Sequence, residues 1–344
     1  MPGLKLRAAL ALTALSLAAS AAAQAPAAPN PWWRDYEAAP FVHTPDGRRL
    51  RVFCLGKGAP TVVLESGLGD GAWSWNTVQA AMAKTTRVCS YDRAGLGLSD
   101  EAHGLRDSNA MAADLAAVVA GVGHDRPVVL VSHSLGGSII RQYAYRHTKT
   151  VAGMVLVDPS SDHQAERFAA INPAFAGPPP GAIDPTRHCL ELTEKGPIPE
   201  TSPDYKACIP SPPRDMPADL VHFHYQYNQS PIHLREVLAE RDAAFNGADD
   251  RAADAARHTL GNMPIIILTS TLHPGPPAMA ADMDKVGLAV YALHSQMTGL
   301  STRARHRVVP GASHYIQYDK PQAVLDAVAE VLADVRAGPR APGH

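Results

Sequence analysis

Little net charge is available to hold a partner: 31 lysines and arginines stand against 33 aspartates and glutamates, a formal charge of −2 over 344 residues. With only 19% of residues charged, the chain lacks the electrostatic footprint that nucleic acid or an anionic membrane surface requires. Long apolar runs are missing too. The run at Ala8–Leu17 falls short of the ~20 residues of a membrane span, so no stable membrane insertion is expected. Cysteine is scarce, with four residues, and no two are spaced Cys-x-x-Cys, which argues against a structural metal site. There is no internal repeat, and the 30 prolines and 26 glycines follow no fixed period, which excludes a collagen-like chain. What is present is 46% apolar residues, too many for wholesale disorder. The length suits one large α/β domain with a sizeable insertion, or two modest domains.

Residues 1–23 follow a three-part export pattern. Lys5 and Arg7 form a basic start, Ala8–Leu17 is apolar, and Ala21-Ala22-Ala23 before Gln24 reads as a small-residue cleavage site. They are expected to be a signal peptide, making the protein periplasmic or secreted. Its removal leaves 29 basic residues against 33 acidic ones, a charge of −4. Residues 24–39 read as a loose N-terminal segment. Export permits disulfides, and four cysteines allow three pairings. Cys54 ends one strand pattern and Cys89 lies in another, while Cys189 and Cys208 share a proline-rich stretch. Cys54–Cys89 and Cys189–Cys208 are the expected pairs, the second because an irregular segment gains most from a staple.

Phe41–Thr44 and Leu50–Leu55 flank a Pro45-Asp46-Gly47 turn and read as a hairpin. Short apolar runs at Thr61–Leu64, Arg87–Tyr91, Pro127–Val131 and Val151–Val157 then alternate with helical patterns at Trp73–Ala83, Ser108–Gly121 and about Leu135–His147. Such alternation specifies an α/β fold, a mostly parallel sheet with helices on both faces. It stops at Pro159 and resumes with a strand at Pro264–Thr269, a helix near Ala281–Met297, a strand at Arg305–Val309 and a last helix at Pro321–Arg336. Residues 40–159 and 261–337 are therefore the expected core, and 160–260 an inserted helical cap. Twelve prolines between Pro173 and Pro217 make that stretch extended and irregular, with helices at Ile232–Asn246 and Asp249–His258. At the carboxyl edge of a sheet, such an insertion is a lid over a crevice.

The strongest chemical signal is Val131-Ser132-His133-Ser134-Leu135-Gly136-Gly137, between a strand and a helix. Small-x-Ser-x-Gly in that setting is a nucleophile elbow, a turn so tight that its neighbours must be small. A helix N-terminus behind Ser134 adds a positive field for developing negative charge. Three further landmarks are Ser66-Gly67-Leu68-Gly69 after the Thr61–Leu64 run, Asp92-Arg93-Ala94-Gly95-Leu96-Gly97 after the Arg87–Tyr91 run, and Gly311-Ala312-Ser313-His314 after the last strand pattern. With these, the chain resembles the α/β-hydrolase superfamily over roughly residues 40–336.

The resemblance implies a serine hydrolase that needs no cofactor and no metal. Ser134 would be the nucleophile, His314 the base that activates it, and the N–H groups of Leu68 and Leu135 the oxyanion hole. The family most often places its acid after the strand that here spans Pro264–Thr269, but the loop Ser270-Thr271-Leu272-His273-Pro274-Gly275 holds no carboxylate. Asp158 is the candidate instead. It ends the neighbouring strand, and strands ~4.8 Å apart let a carboxylate there reach the imidazole; Asp162, Asp282 and Asp284 are the alternatives. Asp92, Arg93, Glu65 and Ser66 read as structural. His133 and the Trp73/Trp75 pair are candidates for lining a pocket. His222 and His224 suggest either a metal pair or an aromatic wall.

The function these features imply is cleavage of a small-molecule carboxylic ester, a lactone or an amide through an acyl-enzyme. The alternatives are a catalytically silent ligand-binding relative, favoured by the missing acid, and a cofactor-free perhydrolase or lyase on the same scaffold.

Overall fold

A computed structural model describes residues 31–123, 126–176, 184–212, 216, 218–275 and 279–338; the expected signal peptide and residues 24–30 lie outside them. The apolar runs form strands β1 (Phe41–His43), β2 (Arg49–Leu55), β3 (Val62–Glu65), β4 (Val88–Tyr91), β5 (Val128–His133), β6 (Val151–Val157), β7 (Ile265–Ser270) and β8 (Ala304–Val309). They join in one sheet of order β1-β2-β4-β3-β5-β6-β7-β8. The β1–β2 and β2–β4 pairs are antiparallel and the rest are parallel. This is the fold class expected from the alternation.

The helices are α1 (Pro31–Glu37), α2 (Asn76–Met82), α3 (Ser108–Gly123), α4 (Gly136–Arg146), α5 (Gln164–Ile171), α6 (Pro185–Thr193), α7 (Tyr205–Cys208), α8 (Ala218–Asn228), α9 (Pro231–Phe245), α10 (Ala248–Ala256), α11 (Ala280–Gln296), α12 (Ile316–Asp319) and α13 (Pro321–Arg336). Strand side chains alternate between faces, and the core divides accordingly. Val63, Leu130, Leu156 and Ile267 pack with Met111 and Leu115 of α3 and Ile139 of α4. Val62, Val131, Val155 and Ile266 pack with Val78 of α2 and Val324, Val328 and Leu332 of α13. Strands buried on both faces need no polar side, which is why they read as unbroken apolar runs.

Two segments differ from the sequence reading. The N-terminal segment expected to be loose is helical over Pro31–Glu37. Its helix is held by tertiary packing: Trp32 and Tyr36 are buried, Trp32 lies edge-on to Phe53, and Trp33 meets Phe223. The proline-rich stretch expected to be irregular carries α6 and α7. Proline at the first helical position loses no hydrogen bond and presets φ, and Pro185 sits there behind an Asp184 cap that accepts from Arg187 N–H. Bridges join Cys189 to Cys208 in this segment and Cys54 to Cys89 across β2 and β4. Among the described residues, the chain between β6 and β7 is helical throughout its regular structure, α5 to α10.

Candidate functional site

Ser134 lies between β5 and α4 with φ of +51°, a left-handed conformation that a residue with a side chain adopts only when its surroundings enforce it. Those surroundings are tight. A Cβ on Gly136 would stand 2.7 Å from Ser66 O, and one on Gly137 would stand 2.5 Å from Pro159 Cβ. The backbone is also pinned, with Ser134 N–H donating to Val157 O at 3.1 Å and Ser160 N–H donating to Ser134 O at 2.8 Å. The elbow is thus wedged between β3 and the end of β6.

His314 follows β8, half exposed, and its Nδ1 lies 2.7 Å from Asp158 Oδ2. Asp158, itself at φ +44°, ends the strand next to the one carrying Ser134. Burial acts to raise the Asp158 carboxyl. The bond and charge of His314, with the Ser270 N–H, outweigh it and hold the group below its ordinary range. An ionised carboxylate only accepts, so the imidazole carries a proton on Nδ1, which leaves Nε2 as the acceptor of the neutral ring. Asp162 pairs with Arg141 and Arg257, Asp282 with Asn172 and Lys285, and Asp284 is exposed.

The end of β7, ahead of a loop that lacks a carboxylate, supplies donors instead. Ser270 N–H and Oγ–H bond Asp158 at 2.8 and 2.9 Å. Behind them, His294 bonds Pro159 O through Nε2 and the Thr269 hydroxyl through Nδ1, both at 2.7 Å. Burial pushes His294 down to about 4, so the ring is neutral and donates from Nε2. Neither Ser270 nor His294 stood out in the sequence, because a serine after a strand and a histidine on a helix are ordinary there.

Leu68 belongs to a loop held from below by Arg93, which donates to Ser66 O at 2.8 Å and Gly67 O at 2.6 Å. Glu240 of α9 accepts Gly69 N–H at 2.9 Å. The N–H groups of Leu68 and Leu135 donate to no group among the described residues. Asp92 keeps the turn after β4 in shape by accepting Ala72 and Leu98 N–H and the Tyr36 hydroxyl. Glu65 bonds Arg93 and Tyr91.

Two cavities meet at Ser134. The larger, of about 450 Å³, is lined by Ser134, Asp158, His273, His294 and His314 together with apolar side chains. The smaller, of about 150 Å³, is lined by Ser134, Leu68 and Leu135 with serines and acidic groups. His133 lines neither. It is buried, pushed down to about 3 by burial, and its Nε2 bonds His314 O at 3.0 Å. Trp73 and Trp75 are buried in core clusters, not in either cavity wall. His222 is exposed while His224 is buried on Pro210 O, as expected of helix positions two apart, which do not face each other. Beside the smaller cavity, His163, Glu166 and Asp250 bring three potential metal-ligand atoms within 4.8 Å of one another.

Residues 62–327 match the family model described as "Alpha/beta hydrolase family". The uncharacterised protein YqjL of Bacillus subtilis is 23% identical over 276 residues, covering 80% of this chain and 85% of that protein. Several other curated relatives match over 31–45% of their own length. A thermophilic esterase from Thermogutta terrifontis has a similar fold, with a TM-score of 0.56 at 19% identity over 86% of this chain and 98% of that one. So does the epoxide hydrolase CorEH, with a TM-score of 0.58 at 19% identity over 84% and 96% of the two chains.

Proposed function

This chain belongs to the alpha/beta hydrolase family, and from that premise we propose that it is an exported serine hydrolase cleaving a carboxylic ester through an acyl-enzyme. The observation that carries the reading is the 2.7 Å contact of His314 Nδ1 with Asp158, on a cavity whose wall also includes Ser134. In this reading His314 Nε2 removes the Ser134 proton as Oγ attacks the ester carbonyl. Asp158 orients the imidazole and stabilises it when charged. The Leu68 and Leu135 N–H groups receive the oxyanion, a role for which uncommitted donors are needed. The proton then passes to the departing alcohol, and water cleaves the acyl-enzyme by the same steps.

The helical segment between β6 and β7 serves as the cap, since α5 and α9 contribute to the walls at Ser134. Export is supported by two disulfides and by the N-terminal pattern. An epoxide hydrolase using an aspartate nucleophile is disfavoured by the serine at position 134. The test is labelling with a fluorophosphonate. One probe per chain on Ser134, lost in Ser134→Ala together with hydrolysis of p-nitrophenyl esters, is the expected result. An unlabelled wild-type chain without esterase activity overturns the proposal in favour of a binding protein.

A further inference from the structure

The two cavities at Ser134 differ in size, chemistry and in which reacting group they hold, and proton bookkeeping assigns an occupant to each. Resting on the serine-esterase reading, we infer that the substrate is an ester of a short, uncharged acyl group with a bulky apolar alcohol.

In ester cleavage the Ser134 Oγ–carbonyl bond forms and the carbonyl–alkoxy bond breaks. The proton taken by His314 is delivered to the departing alkoxy oxygen, releasing a neutral alcohol. In the second half, water adds to the acyl carbon, one of its protons passes through His314 back to Ser134 Oγ, and the carboxylic acid leaves. The alkoxy oxygen must therefore lie within hydrogen-bond reach of the imidazole, and His314 lines only the larger cavity. That cavity is walled by Phe168 of α5, Leu272, and Met283, Val286 and Val290 of α11, a surface suited to a hydrocarbon body. Its volume, about 450 Å³, is within the range of small-molecule pockets.

The carbonyl oxygen must turn the other way, toward Leu68 and Leu135, which line only the smaller cavity. With the alcohol in the larger cavity, the space left at Ser134 for the acyl chain is the smaller one. A space of about 150 Å³ holds a benzene-sized group, roughly six non-hydrogen atoms, so the acyl portion is limited to about four carbons. Asp249 and Asp250 stand in its wall and disfavour a second carboxylate on the acyl group. Ser161 Oγ, in the same wall, is buried without a partner among the described residues, leaving one hydrogen-bonding group for a polar acyl substituent.

The test uses two isomeric esters of identical composition, 2-phenylethyl acetate and ethyl phenylacetate, which exchange the bulky group between alcohol and acyl sides. The expected result is kcat/KM at least about tenfold higher for 2-phenylethyl acetate, the scale on which pocket fit discriminates. Val286→Trp, which fills the larger cavity, should lower that ratio about tenfold or more. Equal rates, or a preference for ethyl phenylacetate, overturn the assignment while leaving the esterase reading intact. Turnover of neither ester, with Ser134 still labelled by fluorophosphonate, overturns the substrate class alone. Turnover of neither with no labelling overturns both.

Discussion

Arg93 and Glu240 form a two-point ion pair, Nε to Oε1 at 2.6 Å and Nη2 to Oε2 at 2.9 Å, with both side chains almost fully buried. One partner sits in the turn after β4 and the other on α9, 147 residues later. The same Arg93 bonds Glu65, Ser66 O and Gly67 O, while the same Glu240 holds Gly69 N–H. The loop bearing Leu68 is thus gripped from the core and from α9 at once.

Removing one partner of a buried pair costs about 3–5 kcal/mol when it strands the other charge, but Arg93 keeps Glu65 as a buried partner. Glu240→Ala should therefore lower the free energy of unfolding by less than that, by about 1–3 kcal/mol for the lost hydrogen bonds, read from urea midpoints. It should also reduce kcat more than it changes KM, because the amide of Leu68 loses its support. Glu240→Gln keeps an oxygen for Gly69 N–H and should recover part of the kcat. Equal stability of all three proteins would show that the pair is not formed.

Asp158→Asn should lower kcat by about 10⁴-fold with little change in fold, since an amide at that position favours the wrong imidazole tautomer. The wild-type carboxyl is held below its ordinary range. Its stabilising effect is therefore present in full above that range and is lost as the pH falls below it, where the native carboxylate is protonated. The acid limb of the wild-type stability curve should be shallower in the variant, as urea titrations at a series of pH values would record.

Asp70 behaves in the opposite sense. Burial raises it to about 7, against the pull of Arg93 and a hydrogen bond from Tyr315. The folded chain thus holds a proton that the unfolded chain releases, and stability declines as the pH rises from the ordinary carboxylate range to about 7. Asp70→Asn, which mimics the protonated form, should be more stable than wild type at pH 8. That advantage should shrink as the pH falls below about 7. Chemical unfolding of both chains at pH 5, 7 and 8.5 checks the sign.

The Cys189–Cys208 bridge closes a loop with a sequence separation of 19. Loops of this size contribute about 3 kcal/mol by restricting the unfolded chain. Replacing both cysteines by alanine should open the α6–α7 region to protease well before the sheet unfolds. Limited proteolysis with mass mapping should find the first cuts between residues 184 and 212. First cuts elsewhere would show that other contacts hold this region.

Most of the sheet was legible because β3, β5, β6 and β7 are buried on both faces and so spell themselves as apolar runs. The elbow was legible because steric demands at Gly136 and Gly137 leave a pattern in consecutive residues. The helices of the proline-rich stretch were not, because proline at a first turn and proline in a loop look alike until the cap at Asp184 is seen. Glu240 gave no signal at all. On α9 it is one acidic residue among several, and only the fold brings it to Arg93. Ser270 was hidden in the same way: the family pattern puts a carboxylate after this strand, whereas this chain ends the strand in donors to a carboxylate after the adjoining one.

The seven-residue α1 closes its aromatic side chains over Phe53 and Phe223 and sends the Tyr36 hydroxyl to Asp92. It fastens the start of the described chain to the very turn that supports Arg93. A trimmed version beginning at Pro40 would uncover a greasy face and leave a buried aspartate short of a donor, so recombinant boundaries are best drawn upstream of Pro31.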